Sequence, residues 1–190
     1  MNIYDPYPST VEIDGKTIAL DMDFANVLRV IDVQDDQTLT TADRLELQTL
    51  LLLDDPEDLP TDPVERARII SAALELLPQT GKSDEPRYID FHQDAALIRS
   101  GFMRAYGIDL TRDPLHICQF LELLADLPSD TALMRTIDIR RRPIPKLTKD
   151  NAEQVAELQR LKAKVAIRYS EDERRQQFAQ SLKNSTALRG

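Results

Sequence analysis

The chain has 190 residues, 42% of them apolar and 30% charged, with a net charge of −9 and a single cysteine. That length suits one domain of ordinary size, or one domain with an appendage, and one thiol excludes an intramolecular disulfide. No unbroken apolar run exceeds four residues, as in Leu50–Leu53, against the roughly 20 that a membrane-spanning helix needs.

The charge is unevenly placed. Residues 140–190 hold 13 Lys+Arg and 6 Asp+Glu, a balance of +7, which leaves −16 on residues 1–139. An acidic body argues against general nucleic-acid binding, which needs a positive surface to face phosphate. The start, MNIYDPYPST, lacks the basic-then-apolar order of a signal peptide. A cytoplasmic protein is expected.

Thr10–Ile13 and Lys16–Leu20 alternate apolar and polar residues around Asp14-Gly15, a dipeptide suited to a tight hairpin turn. Helices should follow. Asp21 or Asp23 caps a first helix with Phe24, Val27, Leu28 and Ile31 on one face. Thr40 or Thr41 opens a second, carrying Leu45 and the leucines to Leu53. Asp62-Pro63 starts a third with the stripe Ala67, Ile70, Leu74 and Leu77, ended by Pro78. Residues 78–87 have the composition of a mobile loop. A fourth helix is expected over 90–106, with Phe91, Ala95, Ile98, Phe102 and Tyr106 together and Gly107 ending it in the left-handed conformation.

Asp113-Pro114 repeats the cap-plus-proline start for a helix over 114–126, closed by Pro128. Ser129 can cap a short helix with Leu133, Met134 and Ile137. Arg140 to Pro145 interrupts the pattern, since its two prolines cannot continue a helix. Thr148 then opens a helix with Val155, Leu158, Leu161 and Val165, and Ser170 to Glu173 has the capping-box pattern for a last one. That last helix has little beyond Phe178 and Leu182 to bury, so residues 170–190 are expected to be mobile until a partner covers them. The fold class is therefore mainly α: a compact helical domain with a small N-terminal β-hairpin over residues 1–147, and a basic C-terminal helical extension over 148–190.

Two reactive residue types lie close together, His116 and Cys118. On a helical wheel Cys118 falls in the apolar arc of Ile117, Phe120, Leu121, Leu124 and Ala125. His116 points about 200° away. A Cys–His nucleophile or a shared metal needs convergence, so core packing is the expected role. His92 between Asp90 and Asp94 reads as an acidic first helical turn. Asp21, Asp23 and the Asp54 to Asp58 cluster read as caps and a solvated loop, without the spacing of a calcium loop. The five glycines form no phosphate loop. No catalytic group, metal or cofactor is expected, and the chain should not be an enzyme. Arg140-Arg141-Arg142 has two readings, a solvated helix end or a docking patch for an acidic partner, a second copy included. The Val155–Val165 stripe has two as well: packing on the body, or meeting a partner helix.

The stretch YIDFHQDAALIRSGFMRAYGIDLTRDPLHICQFLELLADLPSDTALMRTIDIRRRPIPKL resembles the siphophage gene-product-fifteen family. The likeness is carried by Tyr88 to Phe91, Tyr106 to Leu110, Leu115-His116, Phe120, Leu127-Pro128 and Ile137 to Arg140, and by the hairpin running into Asp23-Phe24. It covers most of residues 10–165. That family often has tryptophan directly after the histidine, where this chain has Ile117. The resemblance implies a tail assembly chaperone that binds the tape measure protein, self-associates, meets the major tail (tube) protein, works in the host cytoplasm and is left out of the mature virion. The interaction candidates are Arg140, Arg141, Arg142, Val155, Leu158, Leu161, Val165, Phe178 and Leu182. The alternative from the residues is a small nucleic-acid-binding regulator using the basic C-terminal segment.

Overall fold

A computed structural model describes residues 4–78 and 87–168. The mobile loop expected at 78–87 therefore lies almost wholly outside the described residues. The last helix, with Phe178 and Leu182, lies wholly outside them. The rest is mainly α, with seven α-helices and one two-stranded antiparallel ribbon among the described residues. It forms two compact units, residues 4–78 with Phe102–Leu127, and residues 87–101 with 128–168.

In the first unit, β1 (Thr10–Ile13) pairs with β2 (Lys16–Ala19) in the register Val11↔Ile18. Asp14 and Gly15 turn the chain at φ 51° and 79°, the positive angles that a two-residue hairpin loop requires. Val11 and Ile18 are both buried, and β1 lies against the helix Pro63–Glu75. The ribbon's exit is tied to the end of the helix Thr41–Leu52: Asp21 N donates to Leu52 O (2.8 Å) and Asp54 N to Ala19 O (3.3 Å).

The first three helices start where short polar side chains satisfy free N–H groups. Asp23 caps α1 (Phe24–Asp35), a Thr40/Asp43 capping box opens α2 (Thr41–Leu52), and Asp62 with Pro63 opens α3 (Pro63–Glu75). Their buried faces are turned relative to the expected stripes. α1 buries Val27 and Val30 and leaves Ile31 45% exposed. α3 buries Ile69, Ile70 and Ala73, while Ala67 is exposed and Leu74 is 42% exposed. The cause is that α3 is covered from two directions, by α2 and β1, which centres burial on the Ile69/Ala73 line. Where α1 meets α2, polar Gln48 is buried and donates to Val30 O (3.0 Å) and Gln34 Oε1 (3.2 Å). The acidic cluster Asp54 to Asp58 becomes a 3-10 turn, Pro56–Asp58, capped by Asp55.

The start of α5 also differs. It runs Ile117–Ala125, capped by His116, three residues later than Asp113-Pro114 suggests. Leu115 and His116 are held extended by a bridge between His116 and Asp23, with Phe24 N donating to Leu115 O (2.9 Å) and Ile117 N to Met22 O (2.8 Å). Asp113 instead closes a turn, accepting from Asp109 N at 2.8 Å. The centre of this unit is a run of rings. Phe24 stacks on Phe120 (4.7 Å), Phe120 on Phe102 (5.2 Å), and Tyr106 meets Phe102 edge-on (5.6 Å). Such pairs add about 0.5–1.5 kcal/mol each beyond area burial.

The second unit contains the turn 91–94, the first part of α4 (Ala95–Tyr106), α6 (Ala132–Arg141) and α7 (Ala152–Val165). Gly107 ends α4 at φ 69°, as expected. The cap of α6 is buried Thr131, whose Oγ1 accepts from Met134 N (3.3 Å), rather than Ser129. α7 begins at Ala152, four residues after Thr148, and packs on α6.

Candidate interaction surface

The three consecutive arginines divide by direction. At 100° per residue, Arg140 falls on the face of Leu133 and Ile137, both buried, so it turns inward. Its side chain is 6% exposed and grips the 2%-exposed Asp94 with two bonds, Nη1 to Oδ2 at 2.6 Å and Nη2 to Oδ1 at 2.8 Å. It also donates to Val165 O (Nε, 2.6 Å) and Tyr88 O (Nη1, 2.8 Å). Asp94 also accepts from Asp90 N at 3.0 Å. Lys162 Nζ donates to Arg140 O at 2.6 Å, and Gln93 clasps the chain beyond α7 through Ala166 O (2.8 Å) and Arg168 N (2.9 Å). One buried ion pair therefore holds the 88–94 turn, the end of α6 and the end of α7. Arg140 is part of this unit's interior and is withdrawn from any docking patch.

Arg141 and Arg142 are exposed. Arg141 lies over the Tyr88 ring at 5.2 Å, and Arg142 pairs with Asp138 one helical turn back. Val155 and Leu158 are buried, and Leu161 and Val165 are half-buried. The stripe therefore packs on the body, with an edge left over. Alongside it runs a groove of about 810 Å³ lined by Arg142, Pro145, Asn151, Val155, Leu158 and Leu161. The segment 141–150 is exposed at every position, with Ile144 at 48% and Leu147 at 71%.

The residues with chemical potential are occupied elsewhere. His116 Nδ1 accepts from Cys118 N (3.1 Å), which leaves the proton on Nε2 to donate to Pro8 O (3.2 Å), and Tyr7 stacks on the ring at 5.0 Å. Burial pushes the Cys118 thiol above its ordinary pKa, with the Glu122 charge adding to the effect. That is the opposite of an activated nucleophile. Asp90 accepts from His92 N (3.0 Å) and Gln93 N (2.7 Å). A cavity of about 290 Å³ beside His116 is bordered by Asp21, Asp23 and Asp54. Asp21 accepts there from Asp23 N and Asn26 Nδ2, and Asp23 from Ala25 N and Leu115 N. Among the described residues, no three His, Cys, Asp or Glu side chains are placed to hold a metal ion, and no helix is long and apolar enough to cross a membrane.

Sequence reasoning missed the Arg140–Asp94 pair and the capping role of His116. The first had a signal: Arg140 continues the Leu133, Ile137 spacing, and Asp94 lies four residues before buried Ile98.

These features define a small, mainly α protein with two helical units, an internally paired polar centre and an exposed basic and apolar segment. A family model described as Bacteriophage Gp15 protein matches residues 3–167, and the chain belongs to that family. Membership makes it a phage protein and points to a structural or morphogenetic role. No curated protein and no solved structure matches it.

Proposed function

We propose that this protein is a tail assembly chaperone that covers the tape measure protein and associates with itself while a siphophage tail is built. Membership of the phage family over residues 3–167 carries the reading. A tape measure is a long helical chain whose apolar stripes would aggregate if left bare. The groove along α7, apolar at Val155, Leu158 and Leu161 and polar at its rim, suits a helix laid lengthwise. The work is done in the host cytoplasm, without cofactor or covalent chemistry. The major tail (tube) protein displaces the chaperone, which stays out of the mature virion. His116 and Cys118 support a non-enzymatic role, since both serve the fold.

The competing reading, nucleic-acid binding through the basic C-terminal segment, is weakened by the commitment of Arg140 to Asp94. Co-expression with the tape measure protein of the same locus is the test. A soluble complex that survives two purification steps is expected. An insoluble tape measure with no complex recovered overturns the reading. A complex formed with duplex DNA or RNA at low salt and lost at moderate salt would establish the alternative.

A further inference from the structure

Residues 141–149 run as a strap between α6 and α7. They contain Arg141, Arg142, Lys146 and Lys149 and no acidic residue. Apolar Ile144 and Leu147 stand exposed among these cations. Covering them on docking would remove apolar area from water, which is favourable.

The strap is also pre-shaped. Its start is fixed where Arg142 N closes α6 on Asp138 O (2.9 Å), two residues after the Arg140–Asp94 clamp. Its end is fixed by Asn151, which accepts from Thr148 N (2.7 Å) and donates to Lys146 O (2.9 Å). Pro143 and Pro145 restrict the backbone on either side of Ile144. A segment held in one conformation loses little entropy on docking.

The complementary charge lies on the other unit of the chain. Residues 4–78 with 102–127 carry 7 Lys+Arg against 21 Asp+Glu, a balance of −14, whereas residues 87–101 with 128–168 carry 12 against 7, or +5. We propose that the strap is the self-association surface of this protein and that its partner is the acidic unit of a second copy. This specifies the self-association in the function proposed above. The strap and the acidic surface are different patches, so the contact is heterologous: each copy offers a strap and receives one, and copies add in series.

The proposal is tested with the full chain alone, by sedimentation velocity over a range of protein and salt concentrations. Wild type should form a concentration-dependent series that shortens as salt rises. I144D/L147D and R141E/R142E/K146E/K149E should each keep the wild-type circular dichroism and weaken association by about tenfold or more. Mixing separates the two geometries. A strap-defective copy can still receive a wild-type strap, so a small fraction of it should cap and shorten the series. A wild type that stays monomeric, variants that associate like wild type, or a variant that does not bind wild type at all overturns the proposal. Tape measure solubilisation is read separately. If wild type solubilises the tape measure while remaining monomeric alone, the strap proposal falls and the chaperone reading stands; the converse result removes the chaperone reading alone.

Discussion

Arg140 and Asp94 are nearly without solvent, and each satisfies the other. Removing one partner leaves a buried charge with nothing opposite, a cost of about 3–5 kcal/mol. R140M and D94N should therefore each lower the urea midpoint strongly. D94N/R140M should cost less than the two together, with a coupling of at least roughly 1 kcal/mol, because the amide that replaces the carboxylate can still accept from Asp90 N. Full additivity in the cycle would mean that the pair stabilises nothing as a pair. The clamp was readable in outline, because both residues continue an apolar spacing. Its partner carbonyls at Tyr88 and Val165 were not, since they are 52 and 25 residues away in sequence from the guanidinium they satisfy.

The same scale sets a response to alkali. Tyr7 is held above its ordinary pKa of 10.0, first by donating to Glu122 Oε2 (2.6 Å) and then by burial and the carboxylate's charge. Cys118 is held above 9.0 by burial and by Glu122. Both folded pKa values are raised, so the unfolded chain ionises first. Their contribution is complete below about pH 9 and is lost as pH rises from the unfolded values through the folded ones. Stability should fall from about pH 9 upward, and Y7F/C118A should flatten that fall. In the native protein at about pH 8, Cys118 should react with an aromatic disulfide far more slowly than after unfolding in urea. Equal rates would contradict its burial.

At the level of elements, local chemistry was read well wherever the chain talks to itself. Asp14-Gly15 gives the hairpin, Thr40 and Asp62-Pro63 give helix starts, and Gly107 gives a helix end. Reading failed where a distant segment competes. Ile31 and Leu74 are as apolar as their neighbours, and only the placing of other elements around α1 and α3 decides which side is covered. Likewise Asp113-Pro114 is a good helix start, but the bridge between His116 and Asp23 holds the backbone extended up to His116. The helix then begins at the first residue free to coil, and His116 becomes its cap. H116A should cost about 1–2 kcal/mol from the lost cap and ring stack. H116N, able to accept from Cys118 N, should recover the cap portion. Equal losses in the two variants would show that the Tyr7 stack, rather than the cap, is what matters at this position.

For the whole molecule, charge asymmetry was readable at once, but where it lies in three dimensions was not. Residues 148–190 read as a basic helical extension, of which 148–168 are described. Contacts group α7 with residues 87–101 and 128–147. The family was legible as a resemblance spread over many positions, from the hairpin to the end of α6, rather than in any one residue cluster.

The clamp at the end of α7 makes the unit's dependence on this helix testable by length. Every bond of that clamp described above lies at or before Arg168. A chain ending after Arg168 keeps Lys162 on Arg140 O, Arg140 on Val165 O, and both contacts of Gln93. It should melt within about 2 °C of the full chain, since 1 kcal/mol corresponds to roughly 2–4 °C at this size. A chain ending after Leu161 keeps the buried Val155 and Leu158 but loses all four bonds, and leaves the Arg140 Nε hydrogen buried without an acceptor. Each such orphaned group costs about 1–3 kcal/mol, so a drop on the order of 10 °C is expected. If both truncations melt alike, apolar packing against α6 holds α7 in place by itself. The polar clamp would then set only where the helix ends.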